Sequence, residues 1–470
     1  MMKTAVKTRF APSPSGLLHL GNMRTALFNA LLARRTQGLF LLRIEDTDQE
    51  RSTEDYIEAL LKDLCWLGLE WQEGPGIKGE FSPYRQSQRD AIYQDYFQQL
   101  EAKGLAYPCF CSQEELERIR KQQLAAGQPP RYLGTCARLT FEEVENKLAG
   151  GLKPALRFRI PSIAVVEFED LVRGSQHFTA RDIGDFIIRR ADETPAFFFS
   201  NAIDDALMGI THVLRGEDHL TNTPRQILLL QSLGLPVPCY GHIAMIVGSD
   251  GTPLSKRHGS RSISELREAG YLPSAIYNYL ARLGHHYENT SFLDLDGLAA
   301  QFNLDRLGKA PARFDSQQLY YWQREALAHS DFETLRQWLG SAVADQVPTD
   351  KYLEFIEIIR PNVVLPEDAL RWAEALFGEN LAFKDEALGV ISQAGSDFFA
   401  AALAAVGHHG VDFKVVITQL KQTTNAKGKS LFLPLRAALT GNLDGPELAL
   451  LFSLMGVTRV RQRLQRCLDL

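Results

Sequence analysis

Three clusters in this chain combine residue types that do chemistry. The first is Arg9-Phe10-Ala11-Pro12-Ser13-Pro14-Ser15-Gly16-Leu17-Leu18-His19-Leu20-Gly21-Asn22. Glycines at 16 and 21 let backbone approach a ligand without a Cβ in the way. A helix starting at Leu20 offers free N–H groups and the positive end of its dipole to a phosphate. His19 adds a side-chain donor. The alternative is an ordinary strand-to-helix turn. The second cluster, Asp250-Gly251-Thr252-Pro253-Leu254-Ser255-Lys256-Arg257-His258-Gly259, lies more than 200 residues downstream. A cationic loop of this kind can close over a triphosphate and stabilise a leaving pyrophosphate; alone, it reads better as a solvated charged turn. The third is Cys109-Phe110-Cys111, with Cys136 following 25 residues after Cys111. It has the composition of a metal site or of ordinary thiols.

These clusters need elements to hold them. Ala5–Phe10 has strand character and ends in a Pro/Ser/Gly loop signal. Leu20–Arg35 has the leucine spacing of a helix, closed by Gly38 as a C-cap. Leu39–Ile44 is an apolar run of strand length leading into Glu45. Strand, helix, strand with short connections predicts a βαβ unit in a parallel sheet. Helices are expected over Thr53–Leu67 and Asp90–Gly104. From Tyr107 to about Arg190 the pattern changes to a charged helix and then short strands, which predicts an insertion between two halves of one sheet. From Ser264 the patterning is mostly helical, and from Asp331 to Leu470 wholly so. The expected segments are 1–105 and 196–250 for the halves of the sheet domain, 106–195 for the insertion, 251–328 for the loop region and 329–470 for helices, split near 375.

At 470 residues the chain has room for about three domains. It is 45% hydrophobic and 23% charged, with net charge −6. That balance argues mildly against nucleic acid, but from Lys421 to Leu470 eight basic residues face three acidic ones, and a basic stripe can sit on an acidic body. No secretory signal or membrane span is read, and six cysteines do not form a disulfide framework. The expectation is a cytoplasmic monomer.

The first two clusters together resemble the HIGH and KMSKS signatures of class I aminoacyl-tRNA synthetases. His19-Leu20-Gly21-Asn22 resembles the first and departs from it at its last position, Asn22, and Leu254-Ser255-Lys256-Arg257 matches the core of the second. RFAPSPSGLLHLGN, LLRIEDTDQERS, HVLRGEDHLTNTPRQ, LSKRHG and LFLPLRAALTG, in that order, resemble bacterial glutamyl-tRNA synthetases along nearly the whole chain.

The resemblance implies a Rossmann-like α/β catalytic domain, an inserted α+β domain that binds the tRNA acceptor stem, and an all-α anticodon-binding region. It implies ATP and Mg²⁺, L-glutamate, and tRNA(Glu) as substrates and partners, with His19 and Lys256 stabilising charge. Pro12, Ser13, Gly16, Gly21, Asn22, Leu254, Ser255 and Arg257 complete the ATP site. Arg9 and Arg215 hold carboxylates, since a guanidinium fork donates two parallel hydrogen bonds. Glu45 accepts from the α-ammonium, and Ala11, Ser13, Phe197 and Asn201 line the pocket. Phe197 stands where relatives often carry tyrosine, and His219 where others carry tryptophan.

Some relatives bind zinc with two cysteines, then a third cysteine and a histidine two positions later; here that last position is Arg138, which cannot ligate. Tyr132 resembles an oxygen ligand of a shortened relative, so the cluster is either zinc on Cys109, Cys111, Cys136 and Tyr132, or a site that has lost its metal. Lys427, Lys429 and Arg436 are expected to meet tRNA phosphates, with Leu431, Phe432, Leu433 and Leu435 in the core. Two alternatives stay open: an enzyme that also or mainly charges tRNA(Gln), and a catalytically silent RNA-binding paralogue.

Overall fold

The structure is a computed structural model describing residues 5–48, 50–77, 79–128, 130–161, 164–254 and 261–470. It separates into two compact units, one comprising Met1–Leu266 with Ile276–Ser316, the other Arg267–Ala275 with Gln317–Leu470.

The first unit begins with strand β1 (Lys7–Phe10), helix α1 (Leu20–Arg35) and strand β2 (Leu39–Leu42), with β1 and β2 parallel. Helices α2 (Glu54–Trp66) and α3 (Asp90–Ala102) follow. The insertion then runs through β3 (Ala106–Cys109), α4 (Gln113–Ala125), α5 (Phe141–Ala149), β4 (Ala155–Phe158), β5 (Val165–Asp170), β6 (Gly174–Thr179), the single turn α6 (Ala180–Ile183) and β7 (Phe186–Arg189). Its strands are antiparallel: β3-β4-β7 form one sheet and β5-β6 a hairpin. The parallel pattern returns with α7 (Phe197–Leu207), β8 (His212–Gly216), α8 (Thr223–Leu233) and β9 (Cys239–Ile243), β8 pairing with β9.

The two parallel pairs meet at β1 and β8. Thr211 N donates to Lys7 O (2.9 Å) at one end. Further along, the buried Asn29 of α1 stands in for a ladder partner: its Nδ2 donates to Leu214 O (2.9 Å) and its Oδ1 accepts from Leu214 N (3.4 Å). A side chain satisfying strand backbone lets β1 and β8 diverge with no buried group orphaned. From β1 the chain winds to β2 on one side, and from β8 to β9 on the other. The gap between them is therefore a topological switch point, where parallel sheets bind ligands at the strands' carboxyl ends. One face of the sheet packs on a core including Leu41, Tyr93, Phe97, Phe199, Val213 and Leu229, with Phe97 and Phe199 stacked at 4.2 Å.

Several expectations need adjustment. α1 has the bounds read from its leucines, but Gly38 is not its C-cap. Thr36 caps the helix and Gln37 takes the left-handed backbone (φ 52°). Gly38 is required for space instead, since a Cβ there would lie 2.0 Å from Val6 O, which accepts from Leu39 N at 2.9 Å. β2 ends at Leu42, because Leu42 N and Ile44 N donate to Glu73 O and Tyr84 O beyond the named strands.

In the second unit all regular elements among the described residues are helices, from Ser316–His329 to Leu448–Leu468. It begins earlier than the expected boundary at 329 and includes Arg267–Ala275, because Gln323 donates to Gly270 O (3.2 Å) and accepts from Leu272 N (2.9 Å). The expected split into two sub-bundles lies near 375. There Arg463 reaches across to donate to Ala375 O (3.1 Å) and Gly378 O (2.8 Å), satisfying carbonyls at the end of helix Pro366–Phe377. No single helix among the described residues is long and apolar enough to cross a membrane.

Candidate active site

A cavity of about 480 Å³ opens at the switch point. Arg9, Phe10, Ala11, Pro12 and Ser13 line it from β1 and the following loop; His19, Gly21 and Asn22 from the start of α1; Glu45 from beyond β2; Phe197 and Asn201 from α7; and Arg215 and His219 from β8 and the turn after it. Leu254 lines it from the second loop. Residues separated by more than 200 positions thus share one wall. Ser255, Lys256 and Arg257 lie outside the described residues. Both flanks of their loop are placed: Leu254 is at the cavity, while Ser262 forms a bridge with His19 and Ile263 N donates to Leu18 O at 2.9 Å. Gly16 does not line the cavity, and a Cβ there would meet nothing within 4 Å.

His19 is the N-cap of α1. Its Nδ1 accepts from Gly21 N at 3.1 Å, an ordinary way to satisfy a helix's first free donors. A Cβ on Gly21 would crowd the ring, at 3.0 Å from Cε1, so glycine leaves room for the imidazole. Although the ring reaches solvent, the surrounding chain desolvates it enough to hold its pKa below the ordinary histidine value. The neutral ring with Nδ1 accepting carries its proton on Nε2, the remaining donor.

Beneath the cavity lies a buried network of charges. Arg43, 0% exposed, donates from Nη1 to Asp205 (2.8 Å) and from Nη2 to Glu45 (3.0 Å), while Arg9 Nε donates to Asp205 (3.2 Å). Asn201 donates to Glu45 Oε1 (2.6 Å) and accepts from Gln226 (2.8 Å), and Gln226 accepts from Arg215 Nη2 (2.6 Å). Burial pushes the Glu45 carboxyl above its ordinary value despite the opposing pull of Arg43 and Asn201. Its Oε1 is already shared, but a carboxylate has about four acceptor positions, which leaves capacity for an ammonium. Asn201 has both amide groups engaged and so holds Glu45 and Gln226 in place.

Arg215 lines the cavity and keeps an uncommitted nitrogen. Nη2 donates to Thr223 Oγ1 (2.7 Å) and Gln226, Nε faces His242 Nε2 (3.1 Å), and Nη1 is buried without a partner. A buried unpaired donor costs about 1–3 kcal/mol, which an arriving carboxylate would remove. Phe197 and His219, the two departures from the usual pocket, face each other with ring centroids 5.2 Å apart. Burial and then the Arg215 charge push His219 down to about 4, so it is neutral at pH 7.

Sequence reading missed Arg24, which lines the same cavity from α1 and donates to Leu283 O (3.0 Å) and to Ala244 O. Burial lowers it to about 10. Its signal was a lone arginine on the buried side of an apolar helix. It also missed His242, whose signal was a histidine in the apolar strand β9.

The Sγ atoms of Cys109, Cys111 and Cys136 lie within 4.8 Å of one another, those of Cys111 and Cys136 at 3.5 Å. Tyr132 Oη is 3.6 Å from Cys109 Sγ and 3.4 Å from Cys111 Sγ. Around a tetrahedral zinc with ordinary bond lengths, S···S edges are about 3.8 Å and S···O edges about 3.5 Å. The Cys111–Cys136, Cys109–Tyr132 and Cys111–Tyr132 separations are close to those edges, so these side chains could hold such an ion. Arg157 donates from Nε to Cys109 Sγ (3.4 Å) and covers the Tyr132 ring at 3.7 Å. Burial raises the Cys109 thiol, but Arg157 outweighs it and holds the group below its ordinary value.

In the helical unit Lys427 and Lys429 are exposed, whereas Arg436 is half-buried and donates to Pro446 O (2.7 Å). Leu431 and Leu435 are core, as expected. Phe432 is not: it is 38% exposed and stacks on Phe413 at 6.5 Å.

Comparison with known proteins agrees with this geometry. Residues 5–321 match the family described as tRNA synthetases class I (E and Q), catalytic domain, and residues 332–468 match the anticodon binding domain. The chain is 74% identical to glutamate–tRNA ligase 2 of Nitrosococcus oceani, covering 100% of this chain and 99% of that one. It is 55% identical to glutamate–tRNA ligase 2 of Coxiella burnetii over 98% of this chain and 99% of the relative. The crystal structure of glutamate–tRNA synthetase from Elizabethkingia anophelis superposes with a TM-score of 0.88 at 28% identity, over 99% of this chain and 100% of that one. With two basic side chains lining a switch-point cavity beside the first signature loop and Leu254 of the second, and these relatives matched end to end, the chain belongs to the glutamate–tRNA ligase family of class I tRNA synthetases.

Proposed function

We propose that the protein activates L-glutamate with ATP and transfers the glutamyl group to the 3′ end of tRNA(Glu). The glutamate α-carboxylate attacks the α-phosphorus of ATP, forming the mixed anhydride as the bond to pyrophosphate breaks. A terminal ribose hydroxyl of tRNA then attacks the glutamyl carbonyl and AMP leaves. The observation that carries this reading is the unpaired Arg215 Nη1 in a residue lining the cavity that His19 also lines. Arg9 and Arg215 hold carboxylates, Glu45 takes the ammonium, and His19 Nε2–H meets a phosphate oxygen. A neutral amide in place of the substrate's side-chain carboxylate would leave a buried cation poorly compensated, which favours glutamate over glutamine. Lys256, from sequence, stabilises charge on the departing pyrophosphate. Mg²⁺ accompanies ATP, held mainly by phosphate oxygens and water. Lys427 and Lys429 contact tRNA phosphates, and Arg436, with one edge committed to Pro446, offers only its remaining donors.

The test is glutamate-dependent ATP–pyrophosphate exchange with tRNA present, followed by acylation of individual purified tRNAs. Exchange and charging of tRNA(Glu) are expected. No exchange would overturn the reading, and charging of tRNA(Gln) alone would overturn the tRNA assignment. Lys256→Ala should slow adenylate formation by roughly 10²-fold or more, with tRNA affinity nearly unchanged. Equal losses in both would remove Lys256 from the role given to it.

For the cysteine cluster we propose structural zinc on Cys109, Cys111, Cys136 and Tyr132. Bound there, it would tie β3 to the segment before α5 and take no part in the reaction.

A further inference from the structure

We infer that Asp170 and His242 are positioning residues for Arg215, fixing which of its donors is left for the substrate. The inference rests on the reading of Arg215 as a glutamate ligand. His242 sits opposite Arg215 in the register of β8 and β9, and is 0% exposed. The Nε–H of arginine can only donate, so at 3.1 Å His242 Nε2 must accept. The imidazole proton is then on Nδ1, where it is donated to Asp170 Oδ2 at 2.5 Å. Asp170 cannot turn away, because its Oδ1 accepts three backbone N–H groups: Val172 (3.0 Å), Arg173 (2.8 Å) and His242 (3.1 Å). With Nε committed to His242 and Nη2 to Thr223 and Gln226, the guanidinium is held at two corners and Nη1 alone is free. The protonation states agree with this geometry. Burial holds His242 below the ordinary histidine value, so it is neutral at pH 7. Burial would raise Asp170, but its hydrogen bonds from His242 and from backbone outweigh that and keep it ionised.

Asp170 closes β5, so a residue of the insertion sets an acceptor behind Arg215, which lines the sheet domain's pocket. The same hairpin tip supplies Arg173, which donates to His242 O (3.3 Å) and pairs with Glu217.

The isosteric Asp170→Asn change isolates the tautomer. If Oδ1 keeps its three backbone donors, the amide nitrogen faces His242 Nδ1 and donates to it. The ring proton then moves to Nε2 and confronts Arg215 Nε–H, donor against donor. In exchange assays on the full-length protein with tRNA present, D170N should raise the glutamate KM about tenfold, the scale of one charge-assisted hydrogen bond, and leave the ATP KM within about twofold. His242→Phe should do the same. His242→Gln can place an amide oxygen where Nε2 was, and should restore the glutamate KM to within about threefold of wild type. Arg215→Ala separates the two readings. If it leaves the glutamate KM unchanged, the ligand assignment fails. If it raises KM while folded D170N and H242F do not, or if H242Q is as poor as H242F, the positioning role fails. A D170N that raises both KM values equally would also overturn it.

Discussion

Arg43 touches no side of the cavity, yet the residues that do depend on it. It neutralises Asp205 and Glu45 directly, at 2.8 and 3.0 Å, and Asp204 at 3.8 Å. Removing one partner from such a cluster leaves buried charge uncompensated, at about 3–5 kcal/mol. Arg43→Met is therefore expected to destabilise the first unit by that amount at pH 7, read from the urea midpoint of its unfolding transition. The pH dependence has a definite sign. Burial would raise Asp205, but Arg9 and Arg43 outweigh it and depress its folded pKa. Its contribution is present above the unfolded carboxylate value near 4 and is lost as pH falls through the lower folded value. In the variant those carboxylates protonate more readily, so the gap between variant and wild type should narrow as pH drops from 7 toward 4. A gap that widens would mean that Arg43 is not the compensating charge.

At the scale of elements, the first βαβ unit was legible because its signals are local: leucine spacing in α1 and an apolar run for β2. What its closing glycine does was not. Spacing suggested a C-cap, but Gly38 is excluded from bearing a side chain by Val6 O, a strand neighbour more than thirty residues back. Gly38→Ala should therefore cost about 1–3 kcal/mol through backbone displacement, whereas relief of a left-handed strain would be seen at Gln37→Gly instead. Equal stability of G38A and wild type in thermal unfolding would refute the steric account. The basic bias of the last fifty residues likewise has a part that only the fold accounts for. Arg436, Arg459 and Arg463 donate to carbonyls within the helical unit, so a composition that reads as a nucleic-acid surface is partly internal capping.

At the scale of the molecule, the insertion carries its own small core around Tyr107, Cys109 and Cys136. If zinc completes that core, the purified protein should hold about one zinc per chain, measured by elemental analysis, and Cys111→Ser should lose most of it while glutamate-dependent exchange persists. Less than about a tenth of an equivalent after expression with added zinc would dismiss the metal. The two compact units also differ in how their boundaries are written. The helical unit recruits Arg267–Ala275 through Gln323, a side chain some fifty residues away. No change of composition marks that junction.

The residue types at the site, the order of the elements and the resemblance of whole segments to one enzyme family were all determined by the chain's linear order. Each depends on neighbours within a turn or a loop. Only the folded chain decided which donors are spent and which are free: that His19 caps α1 with one nitrogen, that Asn201 is committed at both ends, and that Arg215 keeps one nitrogen, Nη1, while Asp170, His242, Thr223 and Gln226 occupy or orient the rest. Hydrogen-bond partners are chosen by proximity in a buried space, where every unpaired group carries a cost. Those partners lie as far as 156 positions apart, beyond anything periodicity or spacing can register.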